Sequence, residues 1–483
     1  MVFSSLLFVY AFLPLCLLSY VLIKGIRGKN VVLLIFSLIF YAWGEPKYIL
    51  LLVGMVTADW LFAMQIEKAK EKKVKKWWLV ATCVVNLGLI GVFKYANFFD
   101  QTFHSLFKTA VLLPAIALPI GISFYTFQLL SYVVDVYRGE VAAQKRLDTL
   151  LLYAGLFHQC VAGPIVRYKD VMNELTSRTV DYKEISSGIT RFIVGLSKKA
   201  LLANVCGSLA DSLLMLKGGS EISVASIESS DGLALWVSML AYMLQIYLDF
   251  SAYSDMAIGM GRMVGLHYKE NFQYPYIATS VRDFWKRWHI SLSSFFKDYV
   301  YIPLGGNRKG IPRTILNMFI VWLLTGLWHG ASWNFVLWGL YYFIFLAAER
   351  LFLGKWLERI PAFVGRIYSL IIVYFGWILF RFKDFSQLWA VLRAMVGAPH
   401  NFWTTHETNA ALAGQVVFLL ISIIACTPLM KWCGEQARKL CAENQKFANA
   451  YASVQIVLPG LLLALSTMAL VGDSYNPFLY FQF

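Results

Sequence analysis

Apolar runs of about 18 residues or more recur along the whole chain, each long enough to cross roughly 30 Å of hydrocarbon at about 1.5 Å per residue. Backbone polar groups find no water inside a bilayer, so such runs can only be helices or the strands of a closed barrel. No alternating ten-residue pattern is present, which excludes the barrel. Of the 483 residues 59% are hydrophobic and 15% charged, against about 25% charged in an average soluble domain. The chain therefore reads as an all-α polytopic integral membrane protein of about 11 spans plus re-entrant or interfacial helices. No polar stretch is long enough to fold alone. Residues 1–471 are expected to form a single membrane-embedded domain, followed by an extracytoplasmic tail at 472–483.

Lys and Arg total 43 against 28 Asp and Glu, a formal charge of +15. In a polytopic protein that excess belongs in short cytoplasmic loops beside anionic lipid rather than on nucleic acid. Lys68, Lys70, Lys72, Lys73, Lys75 and Lys76 form such a loop. A first span at 2–23 followed by Lys24, Arg27 and Lys29 puts the N-terminus outside. Spans at 30–43, 48–65, 77–93 and 109–134 then alternate consistently, returning to a cytoplasmic loop with Arg138, Lys145 and Arg146. The first run is too long for a signal peptide and lacks a basic start and a cleavage site, so it reads as a retained span. Beyond 148, charges such as Arg191, Lys198, Lys199, Arg262, Arg282, Lys286 and Arg287 interrupt the apolar stretches. They imply an irregular middle region around an internal cavity. Plainer spans return at 314–327, 333–347, 364–381, 411–429 and 453–471, leaving the C-terminus outside. The seven cysteines are odd in number and without C-x-x-C spacing, which suggests neither a disulfide framework nor a zinc site. No metal is called for. Internal repeats of the transporter kind are not evident.

Two histidines stand out. His329 ends a run free of charge from Thr314 through Trp328, and Gly330-Ala-Ser-Trp-Asn334 follows as a helix break. Such a ring is either a packing histidine satisfied by its neighbours or a general base beside open space, with an unperturbed pKa near 6.5. His289 follows a capping-box pattern at Ser280 and Asp283, which predicts a helix carrying Trp285, His289, Leu292 and Phe296 on one face. Arg282, Lys286 and Arg287 point elsewhere, as on an amphipathic helix at the cytoplasmic interface. Alone this histidine is a weak signal. Asp249 and Asp255 lie six residues apart, on different faces of a helix, and so are not a paired-carboxylate site. Holding a turn or pairing with a membrane-embedded Arg or Lys suits them better. Gly305-Gly-Asn-Arg308 lacks the Lys-Ser/Thr of a phosphate loop and reads as a basic turn.

Taken in order, GISFYTFQLLSYVVDVYRG (121–139), VAGPIVRY (161–168), DFSAYSDMAIG (249–259), RWHISLSSFFKDYVYIPLGGNR (287–308) and LWHGASWNFVLWG (327–339) resemble the membrane-bound O-acyltransferase (MBOAT) family. Within it they resemble the bacterial branch of alginate and peptidoglycan O-acetyltransferases, from the first residues to the last. The resemblance implies a ring of tilted helices around a thinned centre, with a central tunnel from a cytoplasmic donor side to an acceptor side. It also implies a site in the bacterial cytoplasmic (inner) membrane. The family's W-H-G histidine falls on His329, the expected catalytic residue. A second catalytic position, a histidine in this branch, falls on His289.

The function so implied is O-acetylation of a cell-envelope polysaccharide with acetyl-CoA as donor, together with an extracytoplasmic SGNH-type partner. Arg282, Lys286, Arg287 and Arg308 are candidates for the CoA phosphates. A polysaccharide or lipid transporter and an export-complex scaffold are the rival classes; neither accounts for the two histidines. Gly472-Asp473-Ser474 is only a tripeptide match to an SGNH nucleophile. The tail Asn476-Pro-Phe-Leu-Tyr-Phe-Gln-Phe483 is an interfacial anchor, a docking peptide, or the carrier of a covalent acyl relay on Tyr480. It resembles the aromatic-Tyr motif of a small partner subunit in related D-alanylation machinery.

Overall fold

A computed structural model of the protein describes residues 2–108, 114, 116–160, 163–215, 221–397 and 403–472. The described residues contain helices and no strands. Nine of the helices are long and apolar enough to cross a membrane. A shorter apolar helix, α1 (Phe8–Leu22), comes first, then α2 (Ile26–Gly44), α3 (Ile49–Lys68) and α4 (Lys72–Phe107). Of the expected span at 109–134, the described residues form α5 (Ile122–Arg138), which is buried along nearly its whole length. Residues 109–113 and 115 lie outside the described residues. Next come α6 (Tyr182–Leu214) and α7 (Gly232–Met263), then two short helices, α8 (Val281–Arg287) and α9 (Ile290–Phe296). The last third holds α10 (Gly310–His329), α11 (Trp333–Leu357), α12 (Ala362–Arg381), a pair bent by 56°, α13 (His406–Ala413) and α14 (Val416–Ala425), and finally α15 (Gln445–Gly472). This is a multi-pass membrane protein.

The middle region holds two of the longest helices, α6 and α7, with a π-helical turn in α6 at Lys198–Ala203, followed by the short helices α8 and α9. The charges of α6 and α7 are neutralised across the helix pair. Lys199 meets Asp249 at 3.0 Å with both side chains buried, and Asp255 binds Arg191 at 2.9 Å and also Lys198. Pairing is what ionised groups at membrane depth require, and it is the role anticipated for the two aspartates. Small residues bring the two helices together: a Cβ on Gly195 would meet the carbonyl oxygen of Ala252 at 2.7 Å, and one on Gly188 that of Gly259 at 2.7 Å. In lipid, such close backbone approach replaces the hydrophobic effect as the source of helix association. Helix α7 joins two hydrophobic cores. Its C-terminal part (Tyr253, Met256, Met260) packs with α1–α3 and α5, its N-terminal part (Tyr242, Leu244, Tyr247) with α8, α11 and α12.

Outside the spans, His267 ties two helices together. Its Nδ1 lies 2.8 Å from Glu174 and its Nε2 3.0 Å from Glu184, while its backbone N–H donates to Glu174 at 2.9 Å. Partial burial works against the imidazolium, but the hydrogen bonds and charges of the two glutamates outweigh it and raise the pKa above 6.5. A group whose folded pKa is raised contributes stability that is fully present below its unfolded pKa and is lost as pH rises through the folded value. The melting-temperature gap between wild type and His267→Gln should therefore be widest below about pH 6.5 and close at higher pH. A gap that is flat or widens with pH contradicts this.

Candidate active site

Both histidines sit where a helix breaks. Ser280 caps α8, its Oγ accepting the Asp283 N–H at 3.0 Å, as the capping pattern predicts. The helix then ends at Arg287, and the expected continuous face of Trp285, His289, Leu292 and Phe296 does not exist. His289 adopts the left-handed conformation, φ +44°, and α9 starts after it. The break is imposed by Asn271, which is fully buried. Its backbone carbonyl accepts the Ile290 N–H at 3.0 Å. Its Oδ1 accepts the Ser291 N–H at 3.2 Å and the Ser291 hydroxyl at 2.8 Å, while its Nδ2 donates to Ser254 on α7 at 3.2 Å. With Asn271 Oδ1 fixed as an acceptor, His289 Nδ1, 3.2 Å away, is the donor. That assigns the tautomer and leaves the lone pair on Nε2. The ring stands edge-on to Phe250, 4.8 Å between centroids.

His329 is the last residue of α10. The helix approaches α11 through two glycines: a Cβ on Gly326 would come within 2.4 Å of the Phe335 carbonyl oxygen, and one on Gly339 within 2.3 Å of that of Trp322. Gly330 makes the turn. A Cβ there would lie 2.2 Å from the ring of Phe335, which packs on Phe380 at 4.9 Å. Only glycine leaves that wall in place. The imidazole of His329 is 5% exposed and edge-on to Trp338 at 4.8 Å and to Phe380 at 5.4 Å. Neither ring nitrogen has a hydrogen-bond partner among the described residues. Buried polar atoms are paired in the great majority of cases, so two on one ring point to a binding or catalytic role. Trp328 joins the two histidines, its ring 5.0 Å from that of His329 and 5.7 Å from that of His289.

Of the anticipated CoA-binding cations, Arg282, Lys286 and Arg308 are exposed, and Arg287, two residues before His289, binds Asp283 at 2.9 Å on its own helix. Tyr480 and the rest of the tail lie outside the described residues. Three residues beside the histidines escaped the sequence reading. Asn271 holds His289, and Lys94 and Tyr95 of α4 reach the last turn of α10. An imidazole enclosed by aromatic rings, with no hydrogen-bond partner on either nitrogen among the described residues and next to a second imidazole of fixed tautomer, can take a proton from a hydroxyl and return it to a leaving group.

The membrane-bound O-acyltransferase family model matches residues 77–385, a stretch that contains Lys94, His289 and His329. The chain is 37% identical to the probable alginate O-acetylase AlgI of Pseudomonas putida, over the full length of both. It is 30% identical to the peptidoglycan O-acetyltransferase of Helicobacter pylori, covering all of this chain and 98% of the relative. The teichoic acid D-alanyltransferase of Bacillus subtilis is 26% identical over 55% of this chain and 68% of its own. With the family model matching well over half of its residues and relatives of at least 30% identity aligned along its length, the chain belongs to the membrane-bound O-acyltransferase family and is an O-acyltransferase.

Proposed function

We propose that the protein is an O-acetyltransferase of the bacterial inner membrane that takes an acetyl group from cytoplasmic acetyl-CoA and passes it outward for O-acetylation of a cell-envelope polysaccharide. The observation that carries this reading is the buried His329 imidazole with no partner on either nitrogen among the described residues. The names of the relatives, acting on alginate and on peptidoglycan, support the substrate class. His329 removes the proton of the acceptor hydroxyl as its oxygen attacks the thioester carbonyl. The C–S bond then breaks, and the imidazolium returns the proton to the CoA thiolate. His289, with Nδ1 committed to Asn271, offers Nε2 to orient the donor, for which the pantetheine amide N–H nearest the thioester is the chemical match. Arg282, Lys286, Arg287 and Arg308 draw the CoA phosphates to the cytoplasmic face. Radiolabelled acetyl-CoA supplied to inverted membrane vesicles should be consumed, whereas sealed right-side-out vesicles should leave it intact. Equal consumption in both, or none in either, overturns the reading.

The acceptor in this scheme is Tyr480. A phenol of pKa near 10 lies closer to a thiol of about 8.5 than an aliphatic alcohol does, so a tyrosyl ester keeps much of the thioester's transfer potential. The acetyl group moves from sulfur to the Tyr480 oxygen, CoA leaves as the thiol, and an extracytoplasmic SGNH-type transferase collects the ester. Mass spectrometry of the full chain after incubation with acetyl-CoA should show one acetyl group on the C-terminal peptide, absent in Tyr480→Phe and in His329→Ala. Normal polymer acetylation by Tyr480→Phe in cells would leave the tail as a docking or anchoring segment.

A further inference from the structure

Helix α4 is interrupted at Gly91–Tyr95 by one π-helical turn. Such a turn adds a residue to the helical circuit and redirects the side chains around it, which is why these turns concentrate at functional sites. Here it carries Lys94 and Tyr95 to the C-terminal turn of α10. The Tyr95 hydroxyl donates to the carbonyl of Leu327, and the Lys94 ammonium donates to the carbonyl of Trp328 and, at 3.3 Å, to Ser123 Oγ. The last four carbonyls of an α-helix have no partner within it. These two belong to the residues immediately before His329. A cation at this place also meets the negative end of the helix dipole.

Lys94 is 8% exposed. Its ammonium rests on two oxygens and on the face of Trp328, 5.9 Å from the ring centroid. No carboxylate acts on it among the described residues. That separates it from Arg191, Lys198 and Lys199, all of which answer an aspartate. Keeping an ammonium without a counter-ion at membrane depth is costly, and such residues mark function rather than packing.

We propose that Lys94 is a positioning residue for His329: it clamps the Trp328 carbonyl, fixing the turn from which the imidazole projects. Helices α11 and α12 present the uncharged rings of Trp338 and Phe380, and Arg381, next to Phe380, is bound to Asp211 at 2.5 Å. The inference rests on His329 being the base.

The test uses the full chain in inverted membrane vesicles, with acetyl-CoA consumption measured over a range of acetyl-CoA concentrations. Lys94→Met should lower kcat by up to about 100-fold through misplacement of the imidazole, with the KM for acetyl-CoA within about twofold of wild type. Lys94→Gln keeps an N–H donor for the Trp328 carbonyl without the charge. It should recover part of kcat. Tyr95→Phe removes the neighbouring clamp and should lower kcat, again with the KM for acetyl-CoA within about twofold of wild type. Wild-type kcat in Lys94→Met, or no recovery in Lys94→Gln, overturns the clamp. If His329→Ala is fully active in the same vesicles, the catalytic reading itself falls; if it is inactive while Lys94→Met behaves as wild type, only the inference about Lys94 does.

Discussion

Replacing His329 by alanine is expected to lower acetyl transfer by about 10²–10⁴-fold, the range that a positioned general base contributes, while the protein accumulates and remains folded. The reason for expecting a functional rather than a structural loss lies in the contacts of the ring. Its nitrogens hold no hydrogen bond among the described residues, so truncation there orphans no protein donor or acceptor, and an orphaned partner is the largest cost of deleting a buried polar group. What is lost is edge-on packing against Trp328, Trp338 and Phe380. Polymer acetylation in cells, read beside the amount and the size-exclusion profile of the purified protein, checks both halves. Near-normal acetylation by a well-folded His329→Ala protein would remove the residue from the chemistry.

His289 is expected to separate activity from stability in a different way. Its φ of +44° lies in the left-handed region, which costs a non-glycine residue roughly 1 kcal/mol. Alanine removes the imidazole and keeps the strain, whereas glycine removes both. The hydrogen bonds that hold the turn come from Asn271 to Ile290 and Ser291, and survive either change. Both variants should lose at least about 100-fold in transfer, in line with losing an orienting group, and His289→Gly should be more stable than His289→Ala by about 1 kcal/mol. Thermal unfolding in detergent beside a transfer assay measures this. Glycine and alanine variants of equal stability would mean that the turn is not strained, and an active His289→Gly would mean that the imidazole is dispensable.

The breaks around the two histidines show what a sequence discloses and what it does not. The break after His329 was legible because a glycine follows a long charge-free run and Gly330 is indeed where the chain turns. The break at His289 was not, because Arg287-Trp-His-Ile-Ser291 contains no glycine or proline and its local propensity is helical. Asn271, 18 residues earlier, overrides that propensity by taking the Ile290 and Ser291 N–H groups for itself, a case of tertiary contacts outweighing local preference. Lys94 was hidden for a related reason. It looks like the charge that closes an apolar run, yet Tyr95, Phe98 and Phe99 continue the same helix to Phe107. The charges of the middle region mark two different things: Arg191, Lys198 and Lys199 face Asp255 and Asp249 across two long helices, one of which makes a π-helical turn at Lys198–Ala203, whereas Arg282, Lys286 and Arg287 lie on the short helix that ends before His289. The spacing of those aspartates ruled out a shared site on one helix face and left holding a turn or pairing with an embedded cation; the structure shows the pairing.

The account turns on where the reacting thioester sits. A structure of the full chain bound to a ketone analogue of acetyl-CoA, in which a methylene replaces the sulfur so that nothing can transfer, measures this directly. The account predicts the analogue's carbonyl carbon in the pocket walled by Trp328, Trp338 and Phe380, with His329 placed to take a proton from an attacking hydroxyl at about 2.6–3.2 Å and the pantetheine arm passing His289. An analogue bound with its carbonyl outside that pocket, and His329 still enclosed by rings with no access to it, would contradict the account.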